Sequence, residues 1–184
     1  MKEGSVDGRN PGVWRFRVLL ISLCVAAAVA ILLARPRPRP MASTEAIDRI
    51  LIEKSQRTLI AFRRGTEVKR YRVALGQNPV GAKDREGDMK TPEGLYTIDG
   101  HKPDSDFHRA LHISYPSSAD RAQAAATGVN AGSDIEIHGL PNDAGPANFS
   151  AGQDWTAGCI ALTNDEIDEL SSLTPDGTTV EIKP

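Results

Sequence analysis

The sequence is poor in cysteine, in aromatic side chains and in net charge. Two cysteines in 184 residues are too few for a disulfide framework. Aromatic residues make up only 5% of the chain, which argues against a platform for stacking nucleic-acid bases. The 22 basic and 24 acidic side chains leave a formal net charge of −2, so no basic face for nucleic acid is indicated. With 40% apolar residues, the composition also excludes a disordered chain.

The small net charge is an average over two unlike segments. Residues 1–40 carry seven basic and two acidic side chains, whereas residues 41–184 carry fifteen basic and twenty-two acidic ones. Such a charge asymmetry indicates two parts of the chain with different surroundings.

The basic segment contains an apolar run at residues 18–34. A membrane-spanning helix needs roughly 17–25 residues, and the apolar core of a signal peptide about 7–15. The run ends before Arg35-Pro36, which is a poor cleavage site. We therefore predict an uncleaved signal anchor, with a cleaved signal peptide as the alternative. Because both flanks are basic, the positive-inside rule does not orient the helix by itself.

Residues 35–46 are predicted to be a linker. Arginine and proline alternate from residue 35 to residue 40, which favours an extended, semi-rigid spacer of about 3 Å per residue. The remaining residues, 47–184, are enough for one domain with one core.

Short strand patterns separated by turn residues dominate that domain. Residues 57–62 and 68–75 flank a Gly-containing turn and predict a hairpin. Residues 164–173 predict a helix, since Thr163 and Glu166 have the spacing of a capping box. Further patterns predict a helix at 119–126 and strands at 95–98, 111–114, 134–138 and 178–182. The expected fold is mainly β, a β-sandwich-like mixed sheet with a few short helices.

Cys159 is the only cysteine in this domain and follows Gly158. Free cysteine is often simply a buried small apolar residue. A preceding glycine, however, permits a tight turn that can aim backbone N–H groups at a reacting carbonyl. The residue is therefore a candidate nucleophile.

His138 is a candidate partner for Cys159, because it ends a predicted strand and precedes Gly139. Cysteine reacts as the thiolate, and a neighbouring imidazole can take its proton. The spacing of His108 and His112 would suit zinc on a helix. His112 falls in a predicted strand and no third ligand has matching spacing, so no metal site is predicted.

Taken together, these residues resemble the catalytic domain of the L,D-transpeptidase, or YkuD-like, family. The resemblance rests on His-Gly at 138–139 and Thr-Ala-Gly-Cys at 156–159, and is extended by Thr-Pro-Glu-Gly at 91–94 and by residues 107–116. It covers about residues 47–183. Ala161 stands where many members have arginine, so the chain is similar to a subgroup with Gly-Cys-Ile-Ala.

The resemblance implies a thioester mechanism. Cys159 would attack the amide between residues three and four of a peptidoglycan stem peptide, and His138 would act first as base and then as acid. Backbone N–H groups near Gly158 and Cys159 would form the oxyanion hole, and Gly139 and Thr156 would shape the site. Transfer to a second stem peptide would give a 3→3 cross-link. No metal or organic cofactor is implied.

Several alternatives remain at this stage. Trp155 either lines the cleft or packs beneath it. The same site could instead hydrolyse stem peptides as an L,D-carboxypeptidase, or cleave a lipoprotein from peptidoglycan as an amidase. A non-enzymatic, membrane-tethered module that binds cell-wall peptides is the third possibility.

The resemblance also suggests a location in the bacterial cell envelope. Residues 1–17 would be cytoplasmic, residues 18–34 would anchor the chain in the inner membrane, and the domain would be periplasmic, or secreted if the signal is cleaved. Arg35, Arg37 and Arg39 then conflict with the positive-inside rule.

Overall fold

The computed structural model describes residues 45–143 and 153–184. The predicted cytoplasmic segment, the predicted signal anchor and the linker as far as residue 44 lie outside the described residues. Within the described ranges, no helix is both long enough and apolar enough to span a bilayer.

The described residues form a mainly β structure with two α-helices. In chain order the elements are β1 (Arg49–Glu53), a 3₁₀ turn (Lys54–Gln56), β2 (Thr58–Arg63), β3 (Thr66–Arg72), β4 (Gly94–Ser105), β5 (His108–Ile113), α1 (Ser118–Ala126), β6 (Glu136–His138), β7 (Ile160–Ala161), α2 (Asn164–Leu173) and β8 (Thr179–Lys183). The predicted hairpin and both predicted helices are confirmed.

The eight strands form one mixed sheet in the order β3-β2-β1-β8-β4-β5-β6-β7. The pairs β1/β8 and β6/β7 are parallel, and the other neighbours are antiparallel. Ala74, just after β3, exchanges backbone hydrogen bonds of 3.0 and 2.9 Å with Ala161 in β7. This bridge joins the two ends of the strand order beside the candidate site. The expected mainly β, mixed sheet with few helices is thus confirmed.

Alternating apolar residues build the core at the parallel pair β1/β8. Ile50 and Ile52 are buried on β1, and the register places them opposite Val180 and Ile182 on β8. Each such side chain contributes about 1.5–3 kcal/mol when fully buried. The period-two pattern of the sequence therefore fixes which face of this strand pair points inward.

Most strand boundaries differ by one to three residues from the predictions, and two of the differences have a clear cause. The strand expected at 134–138 begins only at Glu136, since Asp134 has φ +56°, a left-handed conformation that does not continue a strand. The strand expected at 95–98 continues to Ser105, because its polar second half pairs with β5. The capping box predicted for α2 is present at Thr163 and Glu166.

Candidate active site

Strands β6 and β7 bring the predicted nucleophile and base together. His138 is the last residue of β6, and Cys159 directly precedes β7. The two strands are parallel neighbours in which Ile137 pairs with Ile160. Continuing that register places Cys159 opposite Glu136, two residues before His138. Two residues 21 positions apart in sequence are therefore brought close, one at the end of β6 and one directly before its neighbour β7.

His138 is buried, with 2% of its surface exposed. Its Nδ1 lies 2.7 Å from the carbonyl oxygen of Gly139. Because a carbonyl oxygen only accepts, we assign the ring proton to Nδ1, which leaves Nε2 of the neutral ring as a proton acceptor. Burial lowers the pKa of His138, although the Gly139 carbonyl acts in the opposite direction. The imidazole is therefore held neutral and in one orientation.

Gly139 has a backbone position that no side chain would fit. A Cβ there would lie 2.8 Å from Asn164 Oδ1 and 2.9 Å from the Phe107 carbonyl oxygen. Its own N–H donates to the carbonyl oxygens of Phe107 and Arg109. The residue thus fixes the carbonyl that orients His138. The sequence predicts Gly139 as a residue that shapes the site, but it does not identify the carbonyl that orients the ring.

Thr156 and Gly158 form the turn that carries the cysteine. The buried Thr156 hydroxyl donates to the Cys159 carbonyl oxygen at 2.7 Å and accepts from Gly158 N–H at 3.1 Å. Gly158 has φ +136°, and a Cβ there would lie 2.7 Å from the Lys90 carbonyl oxygen. This turn requires glycine, and its Gly158 N–H is directed to Thr156 rather than to an open oxyanion hole.

Cys159 is a free, partly exposed thiol whose Sγ lies 3.5 Å from the carbonyl oxygen of Asp134. Burial raises the pKa of this thiol to about 11. The Glu136 N–H and the Lys83 charge act in the opposite direction, whereas the carboxylates of Glu136 and Asp134 raise the pKa further. At neutral pH the resting pair is therefore a neutral thiol with a neutral imidazole.

Trp155 packs against the imidazole. The ring centres of Trp155 and His138 are 5.7 Å apart in an edge-on arrangement, and Phe107 contacts His138 on a 4.5 Å centroid distance. The two aromatic rings lie 6.1 Å apart. These apolar surfaces account for the burial of His138. The sequence does not single out Phe107 as a site residue.

A cavity of about 210 Å³ opens beside Cys159. One wall is the loop that precedes β4, through Lys83, Glu86 and Gly87, and the other includes residues 132–135 and Ala157. The loop is tied together by Asp88, whose carboxylate pairs with Lys83 at 2.8 Å. From the sequence, Lys83 is one of three basic candidates for contact with the stem peptide, together with Arg85 and Lys90, and surface charge is the alternative. No sequence signal marks Glu86 or Gly87, because loop and wall meet only in the folded chain.

His108 and His112 each contact a different carboxylate. His108 pairs with Asp168 at 3.0 Å and His112 with Asp99 at 2.5 Å. Across residues 45–143 and 153–184, no three histidine, cysteine or acidic side chains cluster closely enough to hold a metal ion.

Comparisons with known proteins identify relatives of this chain. The curated Escherichia coli (strain K12) protein YafK, whose name provisionally makes it an L,D-transpeptidase, is 32% identical over 127 residues, 66% of this chain and 44% of YafK. The solved structure of Pgp2, a helical cell shape determining protein of Campylobacter jejuni, matches with a TM-score of 0.58 at 24% identity, over 76% of this chain and 48% of Pgp2. Bd1075 of Bdellovibrio bacteriovorus matches with a TM-score of 0.53 at 25% identity, over 76% of this chain and 48% of Bd1075.

The matched region spans less than half the length of each of these relatives. The model of one protein family, however, matches residues 47–182, nearly the whole predicted domain. By that match the chain belongs to the YkuD family, the L,D-transpeptidase catalytic domain.

Proposed function

We propose that the domain is a cysteine-dependent L,D-transpeptidase of peptidoglycan stem peptides. The observation that carries this proposal is the placement of His138 at the end of β6 and of Cys159 directly before the parallel strand β7, with Nδ1 of the imidazole tied to the Gly139 carbonyl. The peptide bond between residues three and four of the stem breaks, D-alanine leaves, and a thioester forms on Cys159. The side-chain amine of a second stem then resolves the thioester into a 3→3 cross-link.

Proton transfer accompanies the attack, because the resting thiol and imidazole are both neutral. Nε2 of His138 takes the thiol proton as Sγ bonds to the carbonyl carbon, and the resulting imidazolium gives the proton to the leaving amine. The Gly139 carbonyl stabilises the imidazolium through the hydrogen bond that Nδ1 donates. Trp155 and Phe107 exclude water from one side of the ring.

The oxyanion is stabilised by backbone N–H groups at the Cys159 turn. Gly158 N–H donates to Thr156 Oγ1 in this structure, so we assign the principal donor to Cys159 N–H. Thr156 acts indirectly, because its hydroxyl is hydrogen-bonded both to the Gly158 N–H before this group and to the Cys159 carbonyl oxygen after it.

The test incubates the full-length chain in detergent with purified disaccharide tetrapeptide and analyses the products by mass spectrometry. Dimers with 3→3 links are the expected product, and a thioester adduct is expected on the intact protein. Tripeptide without dimers would instead establish the L,D-carboxypeptidase alternative.

A cysteine pair provides the matched control for this experiment. Cys159→Ala abolishes both products, whereas Cys24→Ala, in the predicted anchor, leaves them unchanged. Equal product yields from the wild type and Cys159→Ala would contradict an enzymatic role and favour the binding-module alternative.

We place the domain in the bacterial cell envelope, tethered to the inner membrane by residues 18–34. A pair of reporter fusions after residue 45, one active only in the cytoplasm and one only in the periplasm, tests this topology. Activity of the cytoplasmic reporter alone would contradict a peptidoglycan substrate.

A further inference from the structure

Lys83 is a buried cation that faces the same cavity as the nucleophile. The residue is 8% exposed and lines the cavity together with Cys159. Its ammonium has three N–H donors. Among the residues that the structure describes, Nζ has two acceptors: Asp88 Oδ1 at 2.8 Å and the Arg85 carbonyl oxygen at 3.1 Å. One N–H of the ammonium is therefore without an acceptor among the described residues, on a side chain that lines the cavity.

Asp88 positions the Lys83 ammonium but does not fully neutralise the positive charge of Lys83 beside Cys159. The carboxylate of Asp88 also accepts from the backbone N–H groups of Asp84, Arg85 and Lys90. Burial alone would raise the pKa of Asp88, but Lys83 and the three N–H groups together lower it to about 2. Because part of the negative charge is taken up by the backbone, Lys83 still acts electrostatically on the Cys159 thiol.

The other two charged side chains of the cavity lining are acidic. Glu86 and Asp134 line the cavity and are exposed, whereas Lys83 is buried. The volume of about 210 Å³ is smaller than the roughly 300–1,000 Å³ that encloses drug-sized ligands. A small group with a carboxylate and a developing ammonium fits this combination of size and charge.

We propose that Lys83, held by Asp88, binds the free C-terminal carboxylate of the leaving D-amino acid. This inference rests on the proposed function and deepens it. The enzyme would accept stem peptides that end one residue after the scissile bond with a free acid, and discriminate against neutral ends. As the peptide bond breaks, the amine released takes the proton from His138 and lies near the carboxylates of Asp134 and Glu86.

The test compares two donor substrates with the full-length enzyme: a stem tetrapeptide with a free C-terminal D-alanine and the same peptide ending in D-alaninamide. Hydrogen bonds to charged groups are worth about 1.5–3 kcal/mol, so kcat/KM should favour the free acid by roughly 10- to 100-fold. Lys83→Met removes the ammonium and should bring the ratio close to one. Lys90→Met, a change on the same loop, should leave the ratio unchanged.

The outcomes separate this inference from the proposed function. No turnover of either peptide by the wild type would contradict the function itself. Turnover of both peptides at equal kcat/KM would leave the function standing and overturn the role of Lys83. A Lys83→Met enzyme that is slower on both peptides but keeps the preference would also overturn it, since Lys83 would then act only on the thiol or on the loop.

A second measurement covers the case in which Lys83→Met fails to fold. Product inhibition of the wild type is measured with D-alanine and with D-alaninamide. Stronger inhibition by D-alanine supports the carboxylate site, and equal inhibition by the two compounds contradicts it.

Discussion

The two sides of the candidate site are built in different ways. The chemical side consists of His138, the last residue of β6, and Cys159, which directly precedes the neighbouring strand β7. Backbone pairing between β6 and β7 fixes their register. The facing side is a loop between β3 and β4. Its backbone N–H groups donate to the Asp88 carboxylate instead of to a neighbouring strand. Loops are usually the more variable part of a fold. In this domain, the two residues proposed to carry out the reaction are positioned by paired strands. The residue proposed to bind the leaving group, Lys83, lies on the loop.

The comparison predicts that substitutions of His138 or Cys159 lower the rate more than substitutions in the loop. His138→Ala should lower kcat by about 10²- to 10⁴-fold, the usual contribution of a positioned acid–base group. Steady-state release of D-alanine measures the effect, and His101→Ala serves as the control, because His101 pairs with Asp176 away from the cavity. A His138→Ala enzyme within tenfold of the wild type would contradict the dyad.

The state of the resting thiol gives the second prediction. Because burial raises the pKa of Cys159 to about 11, the rate of its alkylation by iodoacetamide should keep rising with pH up to at least 10. In the Cys24→Ala background the only remaining thiol is Cys159. At pH 8 its rate should be about 100-fold below that of a free thiol of ordinary pKa. A plateau below pH 8 would instead indicate a thiolate–imidazolium pair.

The sequence predicts the strand-borne side better than the loop. His138, Cys159 and the glycines next to them stand in a short local pattern, and helix α2 carries its own capping signal. Contacts between distant segments bring Lys83 to the cavity beside Cys159 and hold the Gly139 N–H on Phe107 and Arg109. Asp134 shows the same limit. The sequence predicts a strand from residue 134, but the left-handed backbone of Asp134 delays the start of β6 to Glu136.

Loosening the loop gives the third prediction. Asp88→Asn breaks the buried pair with Lys83 and should lower the free energy of unfolding by about 3 kcal/mol. Since the folded pKa of Asp88 is lowered to about 2, its contribution is present above pH 4 and is lost as the pH falls towards 2. Urea denaturation at pH 7 and pH 2.5 measures this, and the difference between variant and wild type should shrink at the lower pH. An unchanged difference would show that the charge of Asp88 is not what stabilises the loop.

The smallest effect is expected at the turn that joins the two sides. Thr156→Val keeps the shape of the side chain but removes the hydrogen bonds to the Cys159 carbonyl oxygen and from the Gly158 N–H. The loss should cost about 1–3 kcal/mol of stability. Thr156→Ser keeps the hydroxyl and should remain within about 1 kcal/mol of the wild type. If valine lowers kcat while KM is unchanged, the hydroxyl acts by positioning the oxyanion donor. If valine lowers stability but not kcat, Thr156 only holds the turn, and the sheet alone positions Cys159.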